Sequence, residues 1–439
     1  MSSKTEFKGR VVLTYGRSLM ALSAAQVLHD HDIEVIGSDS LDLTVLQCSR
    51  HCADYFIYRN PNDDPEGFID DLLEAIEEHR PEDDRPYVLM PLFTETAVIA
   101  RHAERFEGKI RLALPSLSSI EMVEPKSALA ESAKAAGVTA PETYHPKSIS
   151  AVHDLTRQLS YPVLTKPIVG VGGRGIKKHG SANELEAFYA EHTPEDDKWP
   201  IIQKAVDGKD YCFCALCRDG EIVAHMAYRN LQSYPRDTGA GVLRETVDDA
   251  PFLEEAKTLL KHLNWNGVCE IDYRWSGDET DTPYLIEVNA RYWAGLFHSI
   301  ASGVEFPWLH YQSTVGDEVD QVREPKIGQK SKIPLLWLVA LAQDIAEKDD
   351  YTTRLSQALH ENVEETGLAK KMFDITRSAL DIPRLARFIG EILEAREGLG
   401  EASADDFILP EDPKAALGVL FIATSLIRTG KLPPELKQD

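Results

Sequence analysis

The sequence is poor in cysteine, in long apolar runs and in net positive charge, and each shortage removes a class of function. Six cysteines in 439 residues do not make a disulfide scaffold. Cys212, Cys214 and Cys217 form a CxCxxC, and Cys48 and Cys52 sit beside His51, spacings that leave a metal site open. YCFCALC nevertheless reads as a strand, which turns Cys217 to the face opposite Cys212 and Cys214, and cysteine is a common small core residue. The most apolar stretches, IPLLWLVALA (333–342) and ALGVLFIATSLI (416–427), fall short of the about 20 residues that cross a bilayer. MSSKTEFKGR is polar, and the apolar run behind it is too short for a secretion signal, so a cytoplasmic protein is expected. Lys and Arg total 47 against 72 Asp and Glu, a formal net charge of −25. That balance argues against nucleic-acid partners and against an anionic membrane surface. An anionic substrate would need a locally basic pocket inside an acidic shell.

The length suits about two to four domains with real cores. The first 115 residues read as an α/β unit. RVVLTY (10–15), EVIGSDS (34–40) and YVLMPL (87–92) are candidate strands, and LMALSAAQVLHDH (19–31) and FIDDLLEAIEEH (68–79) candidate helices. Such alternation implies a parallel sheet with helical crossovers. The turn after the first strand carries only Gly16, so no dinucleotide fingerprint stands there. KSALAESAKAAG then forms a helix stopped by Gly137. From Pro162 to Tyr292 the texture becomes α+β, with short strands around one helix, PFLEEAKTLLKHLN (251–264). After about residue 318 the pattern is helical, ending in an apolar helix, AALGVLFIATSLI.

The stretch YPVLTKPIVGVGGRGIKKH (161–179) contains Gly170-x-Gly172-x-x-Gly175. A dinucleotide fingerprint needs a helix opening at the third glycine. Here Ile176–His179 reads as a strand, and the next helix starts only at an N-cap Ser181 or Asn183. A strand–loop–strand hairpin is the better geometry, and no Gly-Lys-Ser/Thr makes it a Walker A loop. Its glycines could fold N–H groups over phosphates, with Lys166 adding a point charge. Taken alone, it reads equally well as a structural hairpin.

Two later strands supply oxygen donors. In CEIDY (269–273) Glu270 and Asp272 share a face; in YLIEVNAR (284–291) Leu285, Glu287, Asn289 and Arg291 share a face. The polar loop between them predicts an antiparallel pair. Paired, the strands gather carboxylates, an amide and a guanidinium, a set suited to Mg²⁺ shared with nucleotide phosphates. A solvated sheet face has the same alternation.

In their order and spacing these motifs resemble the ATP-grasp superfamily, of the carbamoyl-phosphate-synthase-like or carboxylate–amine ligase type. The resemblance runs from about Lys126 to Asp317, with the unit before it similar to a pre-ATP-grasp domain. It implies a multidomain α/β and α+β chain: a Rossmann-like pre-ATP-grasp domain over 1–115, and a two-lobed ATP-grasp domain over 116–318. The small lobe would cover about 140–205 and the large lobe about 206–318, with a helical C-terminal extension over 319–439. Lys126 and Lys166 match the phosphate-contacting lysines, and Gly172, Gly173 and Gly175 the loop that closes over the phosphates. IIQKAVDGKDY (201–211) matches the hinge, where backbone groups of Lys204 and Val206 would read adenine and Asp210 would hold the ribose. Gln203 stands where the family usually has Glu, and Asp210 where it often has Glu. Asp272, Glu287 and Asn289 match the metal ligands, and Arg291 the arginine that steadies the transferred phosphoryl group.

The activity implied is that of an ADP-forming ligase using ATP and Mg²⁺ (or Mn²⁺). A small-molecule carboxylate would become an acyl phosphate, and an amine would then displace phosphate. Glu270 is placed to orient that amine or to back Arg291, and Arg229, Arg236 or Arg244 to clamp a substrate carboxylate. His298 reads as a packed helix residue. Bicarbonate as phosphoryl acceptor, or a non-catalytic ATP-binding module, are the competing readings. DPKAALGVLFIATSLIRTGKLPPE (412–435) resembles the closing helix of some carbamoyl-phosphate-synthase-like proteins, and the C-terminal region could supply a homodimer interface.

Overall fold

A computed structural model describes residues 7–168, 175–191, 198–234, 240–278, 280–320, 324–333 and 403–405, with 412 and 414. Three sheets organise it. The first is parallel, in the order β3 (Asp54–Ile57), β2 (Ile33–Asp39), β1 (Gly9–Leu13), β4 (Tyr87–Met90), β5 (Arg111–Leu112). Helices Leu19–Asp30 and Pro65–Glu78 cross between its strands. Val11, Val12 and Leu13 are wholly buried, as a parallel strand covered on both faces requires. The crossover helix at 65–78 starts one turn before the expected residue 68, because Asp64 caps Gly67 N–H and Pro65 takes the first turn.

The second sheet is antiparallel, in the order β6 (Thr143–Tyr144), β9 (Ile201–Lys204), β7 (Val163–Lys166), β8 (Lys177–His179). β7 and β8 pair as the hairpin expected for the glycine-bearing stretch, and Ser181 accepts a bond from Glu184 N–H at the head of helix Ala182–Glu191. The third sheet runs β14 (Tyr284–Asn289), β13 (Gly267–Trp275), β10 (Lys209–Arg218), β11 (Glu221–Tyr234), β12 (Ala240–Val247), β15 (Lys330–Lys332), β16 (Ser403–Asp405).

β10 is buried on both sides, which explains its unbroken apolar run. Cys212, Cys214 and Leu216 enter a core shared with the first sheet, through Met90, Tyr292 and Trp293. Tyr211, Phe213, Ala215 and Cys217 enter a second core under helix Ala250–His262, with Phe252, Leu259 and Trp265. The cysteines therefore divide as the strand reading expects, and all six are free thiols. Because one core runs from the first sheet into the third, the N-terminal unit is packed against the rest of the protein.

One expectation changes here. The region after residue 318 was expected to be helical, yet its described segments at 330–332 and 403–405 are strands. β12 presents an open edge, and pairing to it overrides local propensity. The apolar helix expected at 415–427 lies outside the described residues. Among the described residues, no helix is long and apolar enough to cross a membrane.

Candidate active site

The site grows from the antiparallel pair β13–β14, whose register sets Asp272 opposite Glu287 and Glu270 opposite Asn289. Leu285 departs from the face assigned to it. A bulge between Asp272 and Tyr273 pairs Tyr273 with Leu285 and leaves Ile286 as the extra residue. Leu285 consequently packs with Val288 and Tyr273 in the core while still bordering the cleft, and Ile286 joins it there beside Lys126 and Lys166. Strict alternation cannot encode a bulge, which is why both side chains depart from the faces expected of them.

The polar groups engage one another directly. Asn289 Nδ2 donates to Asp272 Oδ2 at 3.3 Å, and Arg291 donates to Asn289 Oδ1 at 3.0 Å and to the Tyr292 carbonyl at 2.9 Å. Lys126 opens helix Lys126–Ala136, and its ammonium forms a short ion pair with Glu287. Its backbone N–H reaches the Ile168 carbonyl at 3.3 Å, tying the helix to the loop behind Lys166. Lys166 lies at the end of β7 opposite Ile201, buried, in a cleft with Lys126, Gln203 and Ile286.

Burial dominates the electrostatics. It lowers the Lys166 ammonium to about 8, against the pull of Glu287 and with a further push from Lys126. Burial likewise drives Asp272 well above the usual carboxylate range, reinforced by Glu270 and Glu287. Glu270 is raised by burial and partly relieved by the Tyr228 hydroxyl, which donates to it. Glu124, a residue with no sequence signal of its own, is raised by burial and faces the charges of Arg291 and Lys126.

This is a buried acidic cluster whose own charges raise its proton affinity, and it fits a hard divalent cation. Cys212 Sγ and carboxylate oxygens of Glu270 and Asp272 lie within 4.8 Å of one another. Burial keeps the Cys212 thiol protonated, and it donates to Asp272 at 3.3 Å, so the available ligands are oxygens. With Glu287 and Asn289 opposite them in the strand register, Asp272 and Glu270 make up the oxygen donors that could hold Mg²⁺, whose charge would offset that of phosphate oxygens.

The remaining expected residues distribute unevenly. Gln203 is buried, donating to Thr143 at 2.9 Å. Lys204 spends its backbone N–H on the Glu142 carbonyl at 2.9 Å, so its carbonyl is what it can offer a ligand. Ala205 separates Lys204 from Val206 and donates its N–H to the Pro162 carbonyl at 3.1 Å. Asp210, largely exposed, pairs with Arg274 at 2.6 Å. Gly175 takes φ +74°, and a Cβ there would meet Pro167 at 2.8 Å. Gly172, Gly173 and Arg236 lie outside the described residues.

Arg229 is bound to Glu245 at 2.6 Å. Arg244 is buried in β12, near Glu270 and Gly295. His298 is wholly buried between Thr246 and Ser331, and burial lowers its imidazole to about 3. It is a packed neutral residue, as the sequence suggested.

Residues 201–332 match the family model described as ATP-grasp in the biosynthetic pathway with Ter operon. The chain therefore contains an ATP-grasp domain. The carbamoyl phosphate synthase large chain of Clostridium acetobutylicum is 23% identical over 237 residues, covering 51% of this chain and 21% of that protein. The matched stretch thus spans about a fifth of that relative's length. Biotin carboxylase from Campylobacter jejuni, solved with a β,γ-ATP ligand, shares the fold at TM-score 0.60 and 16% identity, covering 75% of each chain. N5-carboxyaminoimidazole synthetase from Staphylococcus aureus, solved with ADP, does so at TM-score 0.58 and 14% identity, covering 74% of this chain and 81% of that one.

Proposed function

We propose that this chain is an ATP-dependent, ADP-forming ligase that joins a small-molecule carboxylate to an amine through an acyl phosphate. The observation that carries this is the chain of contacts that links Lys126 to Glu287, Asn289 to Asp272 and Arg291 to Asn289, with Lys126 and Lys166 lining one cleft. Phosphoryl transfer asks mainly for positioning and charge neutralisation, so this set suffices without a covalent nucleophile. The γ-phosphoryl group would pass in line to a carboxylate oxygen as the bond to the ADP oxygen breaks. Arg291 would carry charge on the moving group, and the two lysines that on the remaining phosphates. The amine nitrogen would then attack the acyl carbon and release inorganic phosphate, with Glu270 beside it. Glu287→Ala or Lys166→Ala should abolish ADP formation with the fold retained; near-wild-type turnover in either variant contradicts the assignment.

A second reading takes bicarbonate as the phosphoryl acceptor. It is favoured by the likeness to carbamoyl phosphate synthase and biotin carboxylase. ADP release stimulated by bicarbonate with no added amine supports it.

A further inference from the structure

The first sheet ends directly beneath Arg291. Strand order reverses between β1 and β4, and the crevice outside strand carboxyl ends at such a point is where open α/β sheets place functional groups. Tyr15 follows β1 there, in the left-handed conformation at φ +58°, and Phe93 follows β4. Their rings stack with centroids 4.8 Å apart and planes at 14°. The guanidinium carbon of Arg291 stands 4.2 Å above the Phe93 centroid. Arg291 thus has an aromatic face beneath it and hydrogen bonds to Asn289 and Tyr292 at its edge.

The ring is itself held in place. The Glu95 carboxylate, almost fully buried, accepts from Leu92 N–H at 3.3 Å, Phe93 N–H at 3.2 Å and the Thr14 hydroxyl. Thr96 donates to the Phe93 carbonyl at 2.6 Å. The turn is therefore held by the head of the following helix and, through Thr14, by the end of β1, and one face of Phe93 is left for Arg291. Among the described residues, no carboxylate forms an ion pair with Arg291; Glu124 and Glu270 act on it from further away.

We infer that Phe93, backed by Tyr15, is a positioning residue for Arg291, so that the N-terminal α/β unit is a working part of the phosphoryl-transfer centre. A long arginine side chain in solution samples many rotamers. Stacked on a fixed ring it keeps its charge, loses its freedom to fold back onto Glu124 or Glu270, and presents its outer N–H groups where the γ-phosphoryl oxygens would lie. The inference rests on the ligase reading for its catalytic consequence, while the contact is measurable without it.

The test compares Phe93→Leu, which keeps bulk and removes the π face, with Phe93→Tyr, which restores it. Phe93→Leu should lower kcat for ADP formation about 3- to 30-fold, the worth of a partly desolvated cation–π contact, with KM for Mg·ATP changed less than 2-fold. Phe93→Tyr should recover most of the loss. Independently of turnover, the Arg291 Nε–H proton resonance, assigned with Arg291→Lys, should move downfield in Phe93→Leu and return in Phe93→Tyr. Should the leucine variant not fold, Phe93→Met serves in its place. Wild-type kcat in the leucine variant, or an unmoved Arg291 resonance, overturns the inference. A wild-type chain that releases no ADP with any acceptor defeats the ligase reading, and the resonance alone then decides the contact.

Discussion

Lys126 and Glu287, 161 positions apart in the chain, form a short ion pair at the cleft that Lys126 lines. The first residue of a helix is thus tied to the β14 carboxylate that faces Asp272. If Glu287 is a metal ligand, as proposed, the lysine competes with the cation for its oxygen.

Competition follows from that geometry. Lys126→Met should tighten Mn²⁺ binding in the absence of nucleotide several-fold, because Glu287 no longer carries a resident cation. Glu287→Gln should weaken it more than 10-fold, by removing a charged ligand from a set of three. Titration by electron paramagnetic resonance measures both; equal affinities in all three proteins contradict the assignment of Glu287 as a ligand.

Lys166 links function to stability with opposite signs. An unfolded lysine titrates near about 10.4, and burial lowers the folded group to about 8. Below pH 8 both states carry the charge, and the fold bears the whole cost of burying it. Between the two values the folded chain has released a proton that the unfolded chain keeps, so stability rises with pH. Lys166→Met should therefore raise the melting midpoint of the ligand-free protein at pH 7 by a few degrees while ADP formation falls to background. At subsaturating ATP, wild-type turnover should decline as pH passes about 8. A lowered midpoint in the methionine variant would show that the lysine is structural.

Much of this site was legible in the sequence, and the exceptions have physical causes. Glu-x-Asn-x-Arg fixed Glu287, Asn289 and Arg291 on one face because a strand's period is two. Leu285 failed by the same rule, since the bulge at Ile286 resets the alternation. The strand at 330–332 exists through pairing with β12, which no local pattern encodes. Arg229 and Arg244, equal as letters, differ because Glu245 neutralises one at the surface while the other is buried near Glu270. Phe93 carries no motif; only the packing of two sheets brings it under Arg291.

On the proposed mechanism, Glu270 serves the amine step and not phosphoryl transfer. It sits on the active face beside Asp272, with the Tyr228 hydroxyl donating to it. Glu270→Gln should leave ADP formation with the carboxylate alone largely intact and cut product per ADP at least 10-fold, since the amide cannot take a proton from the amine. Tyr228→Phe should cost about 1–3 kcal/mol of stability by stranding a buried carboxylate. Product and ADP quantified in one reaction decide the point; equal losses of both place Glu270 in phosphoryl transfer instead.

The hinge can be tested through Gly208, just beyond Val206. Its φ is +132°, and a Cβ would come 2.7 Å from the carbonyl carbon and oxygen of Trp275. Gly208→Ala must push β13 and the hinge apart, at a cost of about 1–3 kcal/mol. Calorimetry should show Mg·ATP affinity reduced about 10-fold. Unchanged affinity would place the adenine elsewhere.

The central claim is tested most directly by an ADP-release screen that crosses carboxylic acids, bicarbonate included, with amino acids and polyamines, read by mass spectrometry. The account predicts one pair that yields ADP in step with a product equal in mass to the two substrates less one water. Calorimetric binding of Mg·ATP with no ADP released from any pair would contradict it.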